Sequence, residues 1–130
     1  MEKVFAIASQ HIFGGFDNLL KTLLIMMMAD ILTGIIKAVL GKSEKSANGF
    51  LDSQIMWDSG LKKITILIVI CISVAINRLI SPDSPAIRNA TVLYYIAVEA
   101  LSSLENAVAC GLPMPEYLKN VLEKIKDKKE

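Results

Sequence analysis

Residues 19–40, LLKTLLIMMMADILTGIIKAVL, form a long, mostly apolar run with a single acid, Asp30, at its middle. About twenty residues at ~1.5 Å each cover the ~30 Å hydrocarbon core of a bilayer, so the run predicts a membrane-spanning helix. Asp30 is the informative residue within it. A carboxylate at mid-membrane costs roughly 3 kcal/mol on insertion scales and normally faces a partner helix or a water-filled path. The apolar residues, at roughly −0.3 to −0.6 kcal/mol each, outweigh one such acid, provided Lys21 and Lys37 reach the two membrane surfaces.

The composition points the same way. The 130 residues are 53% hydrophobic and only 6% aromatic, with a mean hydropathy of +0.48, more apolar surface than one small core hides. The reading is an all-α membrane protein forming one domain over residues 1–130. A net charge of +1 gives no reason to expect nucleic acid as a partner. Residues 1–16 lack the basic, apolar and small-residue order of a cleavable signal. Cys71 and Cys110 fall in or at the end of apolar runs and are read as small membrane-compatible side chains, not as a disulfide framework.

Working outward, Val4, Phe5, Ala8, Ile12 and Phe16 share one face of residues 2–16, which predicts a short interfacial helix broken by Gly14 and Gly15. Asp17 or Asn18 caps the first span. Residues 41–63 read as a polar loop with Lys42, Lys45, Lys62, Lys63 and a turn at Asn48 and Gly49. A second span is expected at 64–80, stopped by Pro82 and Pro85, and a third at 90–110, closed by Gly111, Pro113 and Pro115. The tail, 116–130, predicts an amphipathic helix with Tyr117, Leu118, Val121, Leu122 and Ile125 on one face and a basic end at Lys124, Lys126, Lys128 and Lys129. Lysines cluster after the first span and in the tail. Only Lys3 and Arg88 stand in the other segments, so the expected topology has the N-terminus outside and the tail in the cytoplasm.

Polar residues inside the spans are the candidates for function. In the first span Asp30, Thr33, Gly34 and Lys37 recur at three- and four-residue steps, and in the third Glu99, Ser102 and Asn106 do the same, with Glu105 beside them. Two acidic stripes face a second span that offers only Ser73 and Asn77. Self-association or a water-filled lumen is therefore expected. Small-residue pairs, Gly34 with Ala38 and Ala107 with Gly111, permit close helix approach. The competing reading is structural: Asp30 and Glu99 pair with Lys21, Lys37 or a protonated neighbour in a fold without a pore. His11 has no second ligand at metal spacing, and no phosphate loop or nucleophile–base arrangement is present, so neither an enzyme nor a cofactor is expected.

Five short stretches, in order, carry a resemblance: GGFD at 14–17, ADILTG at 29–34, SGLKK at 59–63, EALSSLEN at 99–106 and GLPMP at 111–115. Together they resemble the toxin-secretion and phage-lysis holin family of phages and clostridia. Phe16 stands where that family often has Trp, and Val98 and Ala100 flank Glu99 where it often has Asn and Gly. The resemblance implies a protein that accumulates in the bacterial cytoplasmic membrane, oligomerises with itself, and permeabilises the bilayer so that an endolysin or toxin leaves without being stably bound. It further implies that Asp30, Thr33, Gly34, Lys37, Glu99, Ser102, Glu105 and Asn106 serve assembly or the lumen, and that Gly111, Pro113 and Pro115 set the exit of the third span. The alternatives are a small ion channel or transporter subunit, and an antiholin-like regulator.

Overall fold

A computed structural model describes residues 1–43, 49–50 and 52–129, without the side chains of Leu122, Ile125, Lys126, Lys128 and Lys129. The expectations for those five side chains, and for Lys45 and Asn48, lie outside the described residues. Every described element is a helix: α1 (Glu2–Phe13), α2 (Asn18–Val39), α3 (Ser53–Ile80), α4 (Ala86–Ala109) and α5 (Glu116–Lys129).

Local chemistry sets most boundaries. α1 ends where Gly14 adopts φ 76°, a left-handed cap that glycine enters without a Cβ penalty, and the cap N–H returns to the carbonyl of Gln10. Asp17 then caps α2 by accepting the Leu20 N–H at 3.1 Å. Asp52 caps α3 in the same way, accepting from Gln54 at 2.9 Å. That cap corrects the expected second span. α3 begins at Ser53 and not at Ile64, so the second half of the expected loop is helix and carries Lys62 and Lys63 with it. α4 likewise starts at Ala86, which places Arg88 inside a helix where a loop residue was expected.

α4 is the centre of the bundle, packed on α2 along most of its length and on α3, while α1 rests on α3 and α5 returns to α4. α2 and α4 run in the same direction and α3 runs against them. The core is a single apolar cluster of Leu20, Leu23, Met27, Ile70 and Val92. Of the small-residue pairs, Gly34 faces Asn106 of α4, at ordinary contact distance for an added Cβ, whereas Gly111 faces open space.

Two helices, α2 and α3, are long and apolar enough to cross a membrane. α4 has the length, at 24 residues, but with Arg88, Glu99 and Glu105 it does not reach that apolarity, so the expected third span is not supported on composition. The outer faces of the two apolar helices are distinctive. Only 17% of the most apolar stretch of α2, and 28% of that of α3, is buried within the chain. The core helix of a water-soluble protein hides most of such a surface. Here Ile25, Met28, Leu32 and Ile36 on α2, and Ile64, Ile68 and Ile72 on α3, all face outward, a continuous apolar exterior suited to lipid.

Candidate functional site

Asp30 of α2, Lys63 of α3 and Glu99 of α4 meet inside the bundle. The Lys63 ammonium lies 2.7 Å from Asp30 Oδ2 and 2.9 Å from Glu99 Oε2, and all three side chains are largely buried. Asp30 Oδ1 accepts from the Ser102 hydroxyl at 2.7 Å and from Asn106 Nδ2 at 3.1 Å. Asn106 also donates to Thr33 Oγ1 at 3.1 Å, and that hydroxyl donates to the Ala29 carbonyl one turn back. The site follows from helical spacing. Asp30 and Thr33 lie one turn apart on α2, and Glu99, Ser102 and Asn106 fall at three- and four-residue steps on α4, so the two stripes face each other. Among the described residues no buried side-chain nitrogen or oxygen lacks a partner.

Of the sequence candidates, the structure brings together Asp30, Thr33, Gly34, Glu99, Ser102 and Asn106. Lys37 is half-buried on the wall of a neighbouring cavity, and Glu105 points outward from α4. Lys21 is not the counter-ion of Asp30: it is exposed, with its ammonium 5.4 Å from the centre of the Phe16 ring. The residue missed was Lys63, read as a loop lysine. The signal that finds it is the Asp52 cap: a helix opened there carries Lys63 one turn beyond Ser59 and Gly60, on a stretch continuous with the apolar run.

A second polar cluster closes the opposite end of the bundle. Arg88, 3% exposed, places its guanidinium against both Asp17 oxygens, at 2.7 and 3.0 Å. It also donates to the carbonyls of Phe13 at 2.8 Å and Gly15 at 3.1 Å. This bidentate pairing plus two carbonyls uses the planar fork of arginine in a way lysine cannot reproduce. Asn77 organises the α3–α4 turn beneath it. Its amide donates to the carbonyls of Ser81 and Ser84, and its oxygen accepts the Arg88 N–H at 2.9 Å. Arg78 donates to the carbonyls of Gln10 and His11, so two arginines fasten the end of α1.

The hydrogen bonds from Arg88 hold the Asp17 carboxyl below its ordinary value. A carboxylate with a depressed folded pKa contributes stability that is present above its unfolded pKa and lost as the pH falls through the folded one. Attachment of α1 should thus be constant from pH 7 to 5 and weaken below the ordinary carboxylate range. The change should be small, because the Asp17 side chain is 47% exposed. Hydrogen exchange of the α1 amides across that range checks this, and the acid step should vanish in Asp17→Asn.

The sequence profile of the bacteriophage holin family matches residues 7–127. The chain belongs to the bacteriophage holin family. Holins permeabilise membranes, and the family is not one of known enzymes. Similar curated proteins include one from Bacillus phage phi105 named "Probable holin", 31% identical over 92% of this chain and 82% of its own. Others are a 14.9 kDa protein of Clostridium perfringens, 37% identical over 91% and 84%, and a Clostridium acetobutylicum protein, 34% identical over 92% and 90%. No solved structure matches the chain. The buried Asp30–Lys63–Glu99 cluster and the Arg88 clasp are thus features of a holin-family bundle.

Proposed function

We propose that this protein is a holin: it accumulates in the bacterial cytoplasmic membrane, associates with itself, and opens the membrane to an endolysin or toxin made in the cytoplasm. The observation that carries this reading, beside family membership, is that among the described residues the buried polar side chains of the spans are satisfied inside one chain while the apolar faces of α2 and α3 are bare. Such a protomer presents lipid with the apolar faces of α2 and α3 and keeps its buried charges paired while closed.

In this reading α4 is the third crossing, in spite of its charges. Arg88, Glu99 and Asn106 are buried against α1, α2 and α3, so lipid meets the remaining faces of the helix, and insertion depends on the neighbours. Lys37, Lys42, Lys62, Lys119 and Lys124 lie toward one end, against Lys3, Lys21 and Arg78 toward the other; in this reading the lysine-rich end is cytoplasmic, with α1 and the Arg88 clasp outside. Lys63 and Arg88 drop out of that count because they are buried in the bundle, and the bias survives without them. Gly111, Pro113 and Pro115 turn the chain out of α4 toward the α5 tail.

Opening is then an exchange of partners. Asp30, Thr33, Glu99, Ser102 and Asn106, with Lys63 between them, leave one another and turn toward water shared by several protomers, with Gly34 allowing close approach and the less buried Lys37 and Glu105 at the rim. Two discrete packings of one sequence give the abruptness such a protein needs.

The test is inducible expression in a bacterium, with and without a cell-wall hydrolase lacking a signal peptide, following membrane potential and culture density. A holin gives sudden depolarisation, with lysis only when the hydrolase is present. Depolarisation without lysis indicates a small channel instead, and no effect indicates a regulator. Asp30→Leu should reach the membrane at least as well as the parent, since it removes a buried carboxylate and leaves Lys63 paired one-to-one with Glu99. It should nonetheless fail to permeabilise, and normal permeabilisation by this variant would remove Asp30 from the lumen.

A further inference from the structure

The two ends of α1 are attached to the bundle in different ways. Its last turn and the loop after it are held by arginines: the carbonyls of Gln10 and His11 accept from Arg78, and those of Phe13 and Gly15 from Arg88. Nearer its start the contact is apolar, with the Phe5 ring meeting the Phe16 ring edge-on at 5.4 Å. Between these attachments an open crevice of about 310 Å³ lies under α1, walled by Phe5, Ala8, Ile12, Phe16, Leu24 and Leu67.

The crevice is dry. Ser9 is the polar residue on its wall, and its hydroxyl turns back to the Ala6 carbonyl at 3.1 Å, so no polar surface faces the space. An apolar cavity of ~150 Å³ excludes water and takes a guest the size of benzene, and this one has about twice that volume. Its natural content is hydrocarbon.

Position and charge say which hydrocarbon. The crevice lies on α2 and α3, the two helices apolar enough to cross a membrane. Lys21 stands at its rim, with its ammonium 5.4 Å from the centre of the Phe16 ring. Leu24 on the wall is one turn deeper along α2, about 4.5 Å at ~1.5 Å per residue. Lys21 is exposed, and the acid one turn before it, Asp17, is taken by Arg88. An unneutralised cation above a dry apolar slot, at the end of a membrane-crossing helix, complements a molecule with an anionic head and a hydrocarbon tail.

We propose that the crevice seats one acyl chain of an anionic phospholipid from the leaflet at the α1 end, with the lipid phosphate at Lys21 and the chain passing under α1 against Leu24 and Leu67. The seated chain completes the attachment of α1 on the side the arginines do not reach. This inference rests on the membrane placement of α2 and α3, and needs neither self-association nor a hole.

The test uses the full chain in phosphatidylcholine vesicles containing a rising fraction of phosphatidylglycerol with brominated acyl chains, which quench nearby tryptophan. In a Trp57→Phe background, Phe16→Trp reports the crevice and Ile25→Trp the outward face of α2, where Ile25 is 62% exposed. Half-maximal quenching of Phe16→Trp should need a brominated fraction at least threefold lower than that of Ile25→Trp. Lys21→Gln, which removes the cation, and Ala8→Phe, which fills the slot, should each bring the two fractions together, with circular dichroism confirming unchanged helix content. Equal fractions without those substitutions overturn the proposal, as does a preference that survives either of them.

A second copy of the chain is the competing occupant. In a Cys71→Ser, Cys110→Ser background, oxidation that joins Ile12→Cys chains in pairs at low protein density overturns the lipid assignment. Quenching of neither tryptophan places the helices outside the bilayer and takes the membrane reading down with this one. Quenching of Ile25→Trp with no preference at Phe16→Trp removes this inference alone, and lysis of cells expressing the chain is read separately.

Discussion

Lys63→Met should be the most damaging single substitution in the bundle, lowering stability by about 3–5 kcal/mol, the usual cost of stripping one partner from a buried ion pair. Methionine matches the lysine stem in length and packs in its place, so the loss reports the missing ammonium and not a cavity. Two carboxylates are then left together, Asp30 with the Ser102 and Asn106 donors and Glu99 with no cation. The expected readouts are a lowered thermal midpoint in detergent and less protein accumulating in membranes. The discriminating measurement is rescue. Lys63→Met combined with Asp30→Asn and Glu99→Gln carries no buried charge and should regain most of the loss, since a neutral polar or apolar core is often as stable as a buried ion cluster. If the triple variant is no better than the single, Lys63 acts through packing of its stem and not through charge.

How much of this was legible in the sequence depends on whether the signal was local. The apolar run at 19–40, the Gly14 break, the Asp17 cap and the α4 exit at Gly111 follow from periodicity and turn chemistry, and the structure places them within a few residues. That Asp30 and Thr33 share one face of their helix, and Glu99, Ser102 and Asn106 one face of theirs, was also readable from helical spacing; that the two faces meet within one chain was not, because the stripes suggested self-association or a lumen. What could not be read was which cation joins them. Lys63 precedes an aliphatic run and looks like a topology lysine; only the Asp52 cap, eleven residues upstream, extends the helix to include it. Arg88 was hidden for the opposite reason. Two prolines, Pro82 and Pro85, suggested a longer turn, yet Pro85 stands just outside α4, where a missing N–H costs nothing. The partners of Arg88 are the Asp17 carboxylate and the carbonyls of Phe13 and Gly15, more than seventy residues away, which no local pattern records. In both cases a buried charge in an apolar chain was the real signal: an unpaired one is too costly to persist, so each acid in a span implied a cation somewhere near its level.

Arg88→Met should have the second-largest effect, and a differently distributed one. The substitution removes the donors to Phe13, Gly15 and Asp17 while keeping an apolar stem beneath Gly14, whose added Cβ would lie 3.3 Å from Arg88 Nε. Asp17 is half-exposed and turns to water at little cost, but the two carbonyls lose charged donors. A total of about 2–4 kcal/mol is expected, from hydrogen bonds to charged groups at roughly 1.5–3 kcal/mol each, partly offset by solvation. Asp17→Asn should cost less than half as much, because the guanidinium keeps both carbonyls and one amide oxygen. The loss should be local. Arg78 holds only the last turn of α1, so without Arg88 the α1 amides should exchange faster while those of α4 around Glu99 and Asn106 stay protected by the Lys63 cluster. Equal loss at both levels would mean that the clasp and the buried cluster form one cooperative unit. Loss confined to α1 would mean that the outer end of the bundle can open while the inner cluster stays shut, so that the two polar levels can come apart in sequence and not all at once.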